Sequence, residues 1–386
     1  LIVASTLVLG AQATPKPDRT PLSLFPVQTL WTLSLNNQLT VPPAYDDARG
    51  YFAIAGDRLV AYDLARGAQL WVATARPQIE PTTGDGLLFV VEPDALKALA
   101  TSDGHLAWQL AFSEKLAVRP VWDNGWLVLA TREGSVLAFR ARDGHLIWRR
   151  DIGSSADGQP ALAADRIYVP LSDGRVIALR VDSGEPLWEH RLGGPPTDML
   201  PLDDRLYVGS RDNYLYCLNT SDGKIEWRWR TGGDVVGVPV VDDENVYFVS
   251  FDNVLRALSR TSGSQRWMRA LPLRPTQGPL QAGAVLVVTG VAPTLRAYNI
   301  KDGTPAGDLA TGGELAARPY LVPTSPGLPP RLLVVTRDIA KGATALLLGR
   351  RIEPSIEPLA PLPAPVLPLI EPPAPVPTPV LPDVGR

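Results

Sequence analysis

The chain has 386 residues, 45% of them hydrophobic, which is enough for a large core. Its net charge is −3 and Lys and Arg form no cluster, so it lacks the basic footprint of a nucleic-acid-binding protein. A single cysteine, Cys217, excludes an intrachain disulfide, and three scattered histidines offer little to a metal.

In chain order, the first residues read LIVASTLVLGAQATPKPD. An apolar run followed by Ala-Gln-Ala has the shape of a signal-peptide core and cleavage site, here after Ala13. The run is too short to cross a bilayer. Residues 1–13 are read as a signal-peptide remnant and 14–26 as a linker, and the protein is expected to be exported to the periplasm. The next stretch, VQTLWTLSL, is a lone strand pattern carrying Trp31.

From there one phrase recurs. A turn glycine precedes a tryptophan by four residues at Trp71, Trp108, Trp148, Trp188, Trp227 and Trp267, and successive tryptophans are 37, 40, 40, 39 and 40 residues apart. Trp31 stands 40 residues before Trp71, and the slot expected at 307 holds Gly307. Such a period marks a propeller, solenoid or array. Within one unit, DRIYVPL, RVIALRV and EPLWEHRL alternate with period two and are separated by Ser-Asp-Gly and Asp-Ser-Gly turns. No unit carries a helical apolar stripe. Four short antiparallel strands per repeat of about 40 residues is a propeller blade.

Two further markers keep step. A proline opens each unit, at Pro42, Pro81, Pro120, Pro160, Pro201, Pro239, Pro279 and Pro319; proline suits the first residue of a strand. A small residue recurs in the third strand, at Ala61, Ala98, Ala138, Ala178, Cys217, Ala257 and Ala297, where bulk from elsewhere could approach. The eighth unit lacks a tryptophan strand, and the orphan strand at Trp31 supplies one. The expected fold is therefore all-β: an eight-bladed propeller over residues 27–350, closed by its N-terminal strand and acting as a monomer. The seven tryptophans are expected to dock blade on blade, each burying roughly 150–250 Å². From Glu353, twelve of 34 residues are proline. Residues 351–386 are read as a disordered, polyproline-rich tail, a spacer or a ligand for a partner domain.

Catalytic motifs are missing: there is no Gly-x-Ser-x-Gly, Walker loop, Cys-x-x-Cys or His-Glu-x-x-His. His105 and His145 follow turn glycines, and the acidic groups that look like calcium ligands fall at repeat turns. No metal site is expected. The residues just before the opening prolines should surround one mouth of the central channel, and they include Glu80, Arg119, Gln159, Asp198 and Arg318. Two readings stay open for them, a hydrated polar rim and a small-ligand site.

The unit SDGRVIALRVDSGEPLW resembles the pyrroloquinoline-quinone-type propeller repeat, over about residues 27–350. Two classes share that repeat: quinoprotein dehydrogenases, which use the quinone with Ca²⁺, and the non-catalytic outer-membrane protein assembly factors of the BamB family. The enzymes carry adjacent cysteines and insertions near the cofactor; this chain has one cysteine and tight blades. The resemblance therefore implies a non-catalytic scaffold without a cofactor, associated with the outer membrane. Its expected partners are envelope proteins, namely the β-barrel assembly subunit and unfolded outer-membrane proteins. That family docks its partner through a Leu-x-Leu-Arg loop and an acidic loop one blade on. Here EKLAVRP offers Leu116, Val118 and Arg119, and GSSADGQP offers Asp157. Val118 stands where the family has Leu, one of two acidic residues is matched, and ELAARP repeats the pattern at Leu315, Arg318 and Pro319. The other implied reading is a quinone- or sugar-binding propeller using Glu80, Gln159 and Asp198; a third is an envelope sensor module.

Overall fold

The computed structural model describes residues 22–325, 327–338 and 341–351. The signal-peptide remnant, linker residues 14–21 and the Pro-rich tail from residue 352 lie outside the described residues.

Every regular element among the described residues is a β-strand, and the strands form eight antiparallel sheets. The third blade is typical, with strands Val121–Asp123, Trp126–Ala130, Ser135–Arg140 and His145–Asp151. They hydrogen-bond in sequence order, as short turns between alternating runs dictate. From the first blade to the sixth, the first strands of successive blades touch one another, so each of these sheets runs from an inner first strand to an outer fourth. The hydrophobic core is divided accordingly into eight clusters, one at each seam between blades. No sheet covers its own faces; each depends on both neighbours.

The tryptophans explain how the seams hold. Trp148 donates its indole N–H to the carbonyl of Val181 in the next blade at 2.8 Å. Trp31, Trp71, Trp108, Trp188, Trp227 and Trp267 make the same bond to Leu64, Thr101, Ala141, Thr220, Arg260 and Ile300, at 2.9–3.3 Å. Each ring lies on a turn glycine of that next blade. At Gly184 φ is +68°, and an added Cβ would come within 2.6 Å of the Trp148 ring. Glycine is required there twice, by backbone conformation and by space.

The small residues have an equally local cause. Ala178 pairs with Tyr168 on one side and with Trp188 on the other. A methyl group between them lets the two rings meet, with centroids 5.8 Å apart. The arrangement recurs for Tyr51 with Trp71, Phe89 with Trp108, Tyr207 with Trp227 and Tyr247 with Trp267. Cys217 occupies the same position, is fully buried, and burial pushes its thiol up to about 12.

The ring closes as the sequence predicts. Val27–Ser34 pairs antiparallel with Gly342–Arg350, from Val27 opposite Arg350 to Ser34 opposite Thr344. This blade redistributes its bulk: Leu347 takes the small-residue position opposite Trp31, and Leu333 takes the aromatic one. Gly307, where the tryptophan is missing, is covered by Phe25, whose ring an added Cβ would meet at 2.3 Å. Phe25 and fully buried Leu24 belong to the seam between the seventh and eighth blades. Arg350 donates to the Ser23 carbonyl at 2.9 Å and the Arg351 N–H to that of Pro26 at 2.8 Å, so the segment before Val27 is tied to the last strand.

The proline marker needs two corrections. Pro160 precedes the residue pairing with Tyr168; by the same register the equivalent positions are Pro43 in the first blade and Met199 in the fifth. Pro42 lies one residue earlier. Pro201 lies inside the inner strand Pro196–Leu202, opposite Leu206. It is tolerated because an inner strand's second edge faces the channel and needs no ladder donor.

Candidate functional site at the channel mouth

The loops that enter the inner strands converge on one cavity of about 740 Å³, with lining residues from all eight blades. The predicted rim residues Glu80, Arg119, Gln159, Asp198 and Arg318 all line it. They are also linked. Arg119 Nε stands 3.5 Å from Glu80 Oε1. Gln159 Nε2 donates to the Arg119 carbonyl at 2.8 Å, and the Gln159 N–H donates to Asp198 Oδ1 at 3.4 Å. Asp198 Oδ2 in turn faces Arg318, from the eighth blade, at 3.8 Å. Polar contacts thus join blades two, three, four, five and eight. Burial raises the Glu80 carboxyl above its usual range, and the charges of Arg119 and Arg318 oppose that shift only in part.

The docking residues suggested by the loop pattern divide. Val118, Arg119 and Asp157 line the same mouth. Asp157 pairs with Arg211 of the fifth blade at 3.1 Å. Leu116 does not join them. It bridges to Thr131, is 7% exposed, and packs in the seam between the second and third blades. Ala156 and Val235 hold the corresponding position against Leu171 and Ser250 and are buried too, while Leu315 pairs with Thr336. The leucine of the Leu-x-x-Arg-Pro pattern therefore belongs to the architecture of the repeat, and the arginine to the rim. The fifth and sixth blades add residues that the sequence reading passed over: Arg211, Asp234 and Phe251, the last beneath the Arg274 guanidinium, 4.5 Å from the ring centroid.

A smaller chamber of about 280 Å³ shares Glu80 and Arg119 with the mouth and is bounded by the inner strands of the first, second, third and eighth blades. Tyr45 and Tyr320 stack there at 4.4 Å, and Trp122 forms another wall. The Trp122 ring passes over Gly84, where an added Cβ would fall 2.0 Å from it. Trp122 is one of the three tryptophans outside the repeat spacing, and it also packs against the seam between the second and third blades. Among the described residues no group of three or more His, Cys, Asp or Glu is placed to hold a metal ion.

Seven docked tryptophans, eight seams and one funnel define a propeller built from the quinoprotein-type repeat. The family model for the outer membrane protein assembly factor BamB matches residues 28–119, 96–202 and 200–315, and the chain belongs to that family. Among solved structures, BamB from Moraxella catarrhalis is similar at 18% identity with a TM-score of 0.66, over 83% of this chain and 99% of that one. A quinohemoprotein alcohol dehydrogenase from Comamonas testosteroni is similar at 12% identity and a TM-score of 0.66, over 85% of this chain and 77% of the enzyme. The computationally designed protein Ika8 has the same TM-score at 13% identity, over 83% and 99% of the two chains. At these identities the likeness is one of fold. No curated protein sequence matches.

Proposed function

We propose that this chain is an exported, non-catalytic propeller scaffold that takes part in outer-membrane β-barrel protein assembly by docking an envelope partner on its channel mouth. The supporting observation is the convergence of Val118, Arg119 and Asp157 on one rim in a chain of the BamB family. Arg119 is the central residue. Its side chain is 39% exposed and its guanidinium makes only a loose 3.5 Å pair with Glu80, which leaves it able to form a charge-assisted bond with a partner carboxylate. Leu116 has no direct part; it holds the loop in place from the core.

The test is a pull-down from detergent-solubilised envelope of the source organism, with wild type and Arg119→Glu as bait. Recovery of the barrel-forming assembly subunit by wild type alone supports the proposal and its docking residue. Recovery by both keeps the scaffold and moves the contact elsewhere on the rim. Recovery by neither sinks the scaffold reading, and an absorbance band on adding pyrroloquinoline quinone with Ca²⁺ would then favour the quinoprotein alternative.

A further inference from the structure

The chamber beneath the mouth has a specific set of unused hydrogen-bonding groups. Three of its polar side chains are committed: the Thr82 hydroxyl donates to the Pro120 carbonyl, Thr83 to that of Tyr45, and Tyr320 to that of Asp46. Two are not. The Tyr45 hydroxyl and the Trp122 indole N–H are both buried and find no hydrogen-bond partner in the protein. A buried polar group left unpaired is costly, and native proteins keep few of them. Here two belong to side chains that line one chamber, together with Glu80 and Arg119.

We infer that this chamber is a binding site for a neutral, polyhydroxylated small molecule, a saccharide or polyol end that enters through the mouth.

The chemistry follows from the donor and acceptor inventory. Trp122 only donates, Tyr45 donates or accepts, the Glu80 carboxylate accepts and Arg119 donates. A hydroxyl group both donates and accepts, so neighbouring hydroxyls on one ligand can serve all four. The rings of Tyr45, Tyr320 and Trp122 give apolar walls against which the C–H face of a sugar ring can pack. The volume lies near the lower end of the range for small-molecule pockets. Charge selects against the alternatives. The mouth carries four carboxylates, Glu80, Asp157, Asp198 and Asp234, against three guanidiniums, Arg119, Arg211 and Arg318, a difference of one negative charge. A multiply anionic quinone cofactor would enter past those carboxylates, and a cation would meet Arg119 and Arg318. A neutral ligand suffers neither repulsion. Burial and the Glu80 charge both push the Tyr45 hydroxyl up, which keeps it protonated and able to donate.

The experiment is a calorimetric titration of the full chain with D-glucose, D-galactose, N-acetyl-D-glucosamine and trehalose, with pyrroloquinoline quinone plus Ca²⁺ in parallel. Saturable binding of at least one saccharide is expected. Trp122→Phe and Tyr45→Phe each delete one hydrogen-bonding group and keep a ring, and each should weaken binding about three- to tenfold. Unchanged melting temperature separates that loss from misfolding, and either variant alone suffices if the other does not fold. No saturable binding of any saccharide up to about 50 mM, in the millimolar regime of weak ligands, overturns the inference. So does binding that both substitutions leave intact, or tighter binding of the quinone. The inference stands apart from partner docking, because neither substitution touches the rim residues of the pull-down.

Discussion

Substitution of Gly184 by Ala tests the blade-docking argument most sharply, because its cost should depend on Trp148. Two effects add. Alanine at φ +68° is left-handed, which costs about 1–2 kcal/mol. The new methyl would also stand 2.6 Å from the Trp148 ring and must displace it, an overpacking cost of about 1–3 kcal/mol. Trp148→Ala on its own should cost about 3–5 kcal/mol, as truncation of a large core side chain does. It also leaves the Val181 carbonyl without its indole donor. With the ring gone, Gly184→Ala retains only the backbone cost. The two substitutions should therefore couple by about 1–3 kcal/mol in a double-mutant cycle. Equilibrium denaturation of the four proteins, followed by far-ultraviolet circular dichroism, gives the cycle. Additive costs would refute the claim that ring and glycine form one contact, and a Trp148→Ala loss below about 1 kcal/mol, the scale of a surface change, would refute the claim that these tryptophans are seam core.

The remaining expectations concern closure and charge. Phe25→Ala should open the seam at Gly307, and limited proteolysis should then cut the seventh and eighth blades before the others; an unchanged pattern would remove Phe25 from the closure. Asp252 pairs with Arg256 at 2.5 Å, and although burial alone would raise its carboxyl, hydrogen bonds from Arg256 and Ser250 hold it at about 2. Its folded value is depressed, so its contribution is fully present above about pH 4 and is lost as pH falls toward 2. Asp252→Asn should be less stable than wild type at pH 5, with the gap narrowing toward pH 2; a constant gap would contradict the assignment. Glu80 runs the other way. Its folded value is raised, so Glu80→Gln should be more stable than wild type at pH 7, the difference vanishing below about pH 4 as the unfolded carboxyl protonates too. A gap that persists there would mean the substitution acts through packing.

Most of the ring was legible because its cause repeats. A tryptophan, its turn glycine and a small residue each recur in seven of the eight blades, so periodicity alone exposes them. The mouth residues followed, since any residue just before an inner strand must face the axis. What escaped the sequence depends on single, non-repeating contacts. Phe25 covers Gly307 from 282 residues away in the sequence, and nothing local to either residue announces it. Met199 holds a position elsewhere taken by proline, and the nearby Pro201 imitates the marker two residues late. Leu116 looked like a docking residue because the string around it matched a pattern, yet the strand register turns that side chain inward. Tyr45 and Trp122 sit off the repeat marks, and the unused polar atoms that single them out appear only once four inner strands enclose a chamber.

The pairing of Val27–Ser34 with Gly342–Arg350 has a temporal side. Among the described strands, the one made first is seated last, because its ladder partner emerges more than three hundred residues later. At ordinary rates of synthesis that delay is on the order of tens of seconds. Throughout it, the first strand waits with open ladder edges, and an open edge will accept any strand of the right register. A chain halted before Arg350 would keep those edges permanently. Its natural remedy is the first strand of a second halted copy, so truncation at this end should yield strand-exchanged oligomers in place of a soluble, seven-and-a-half-bladed monomer.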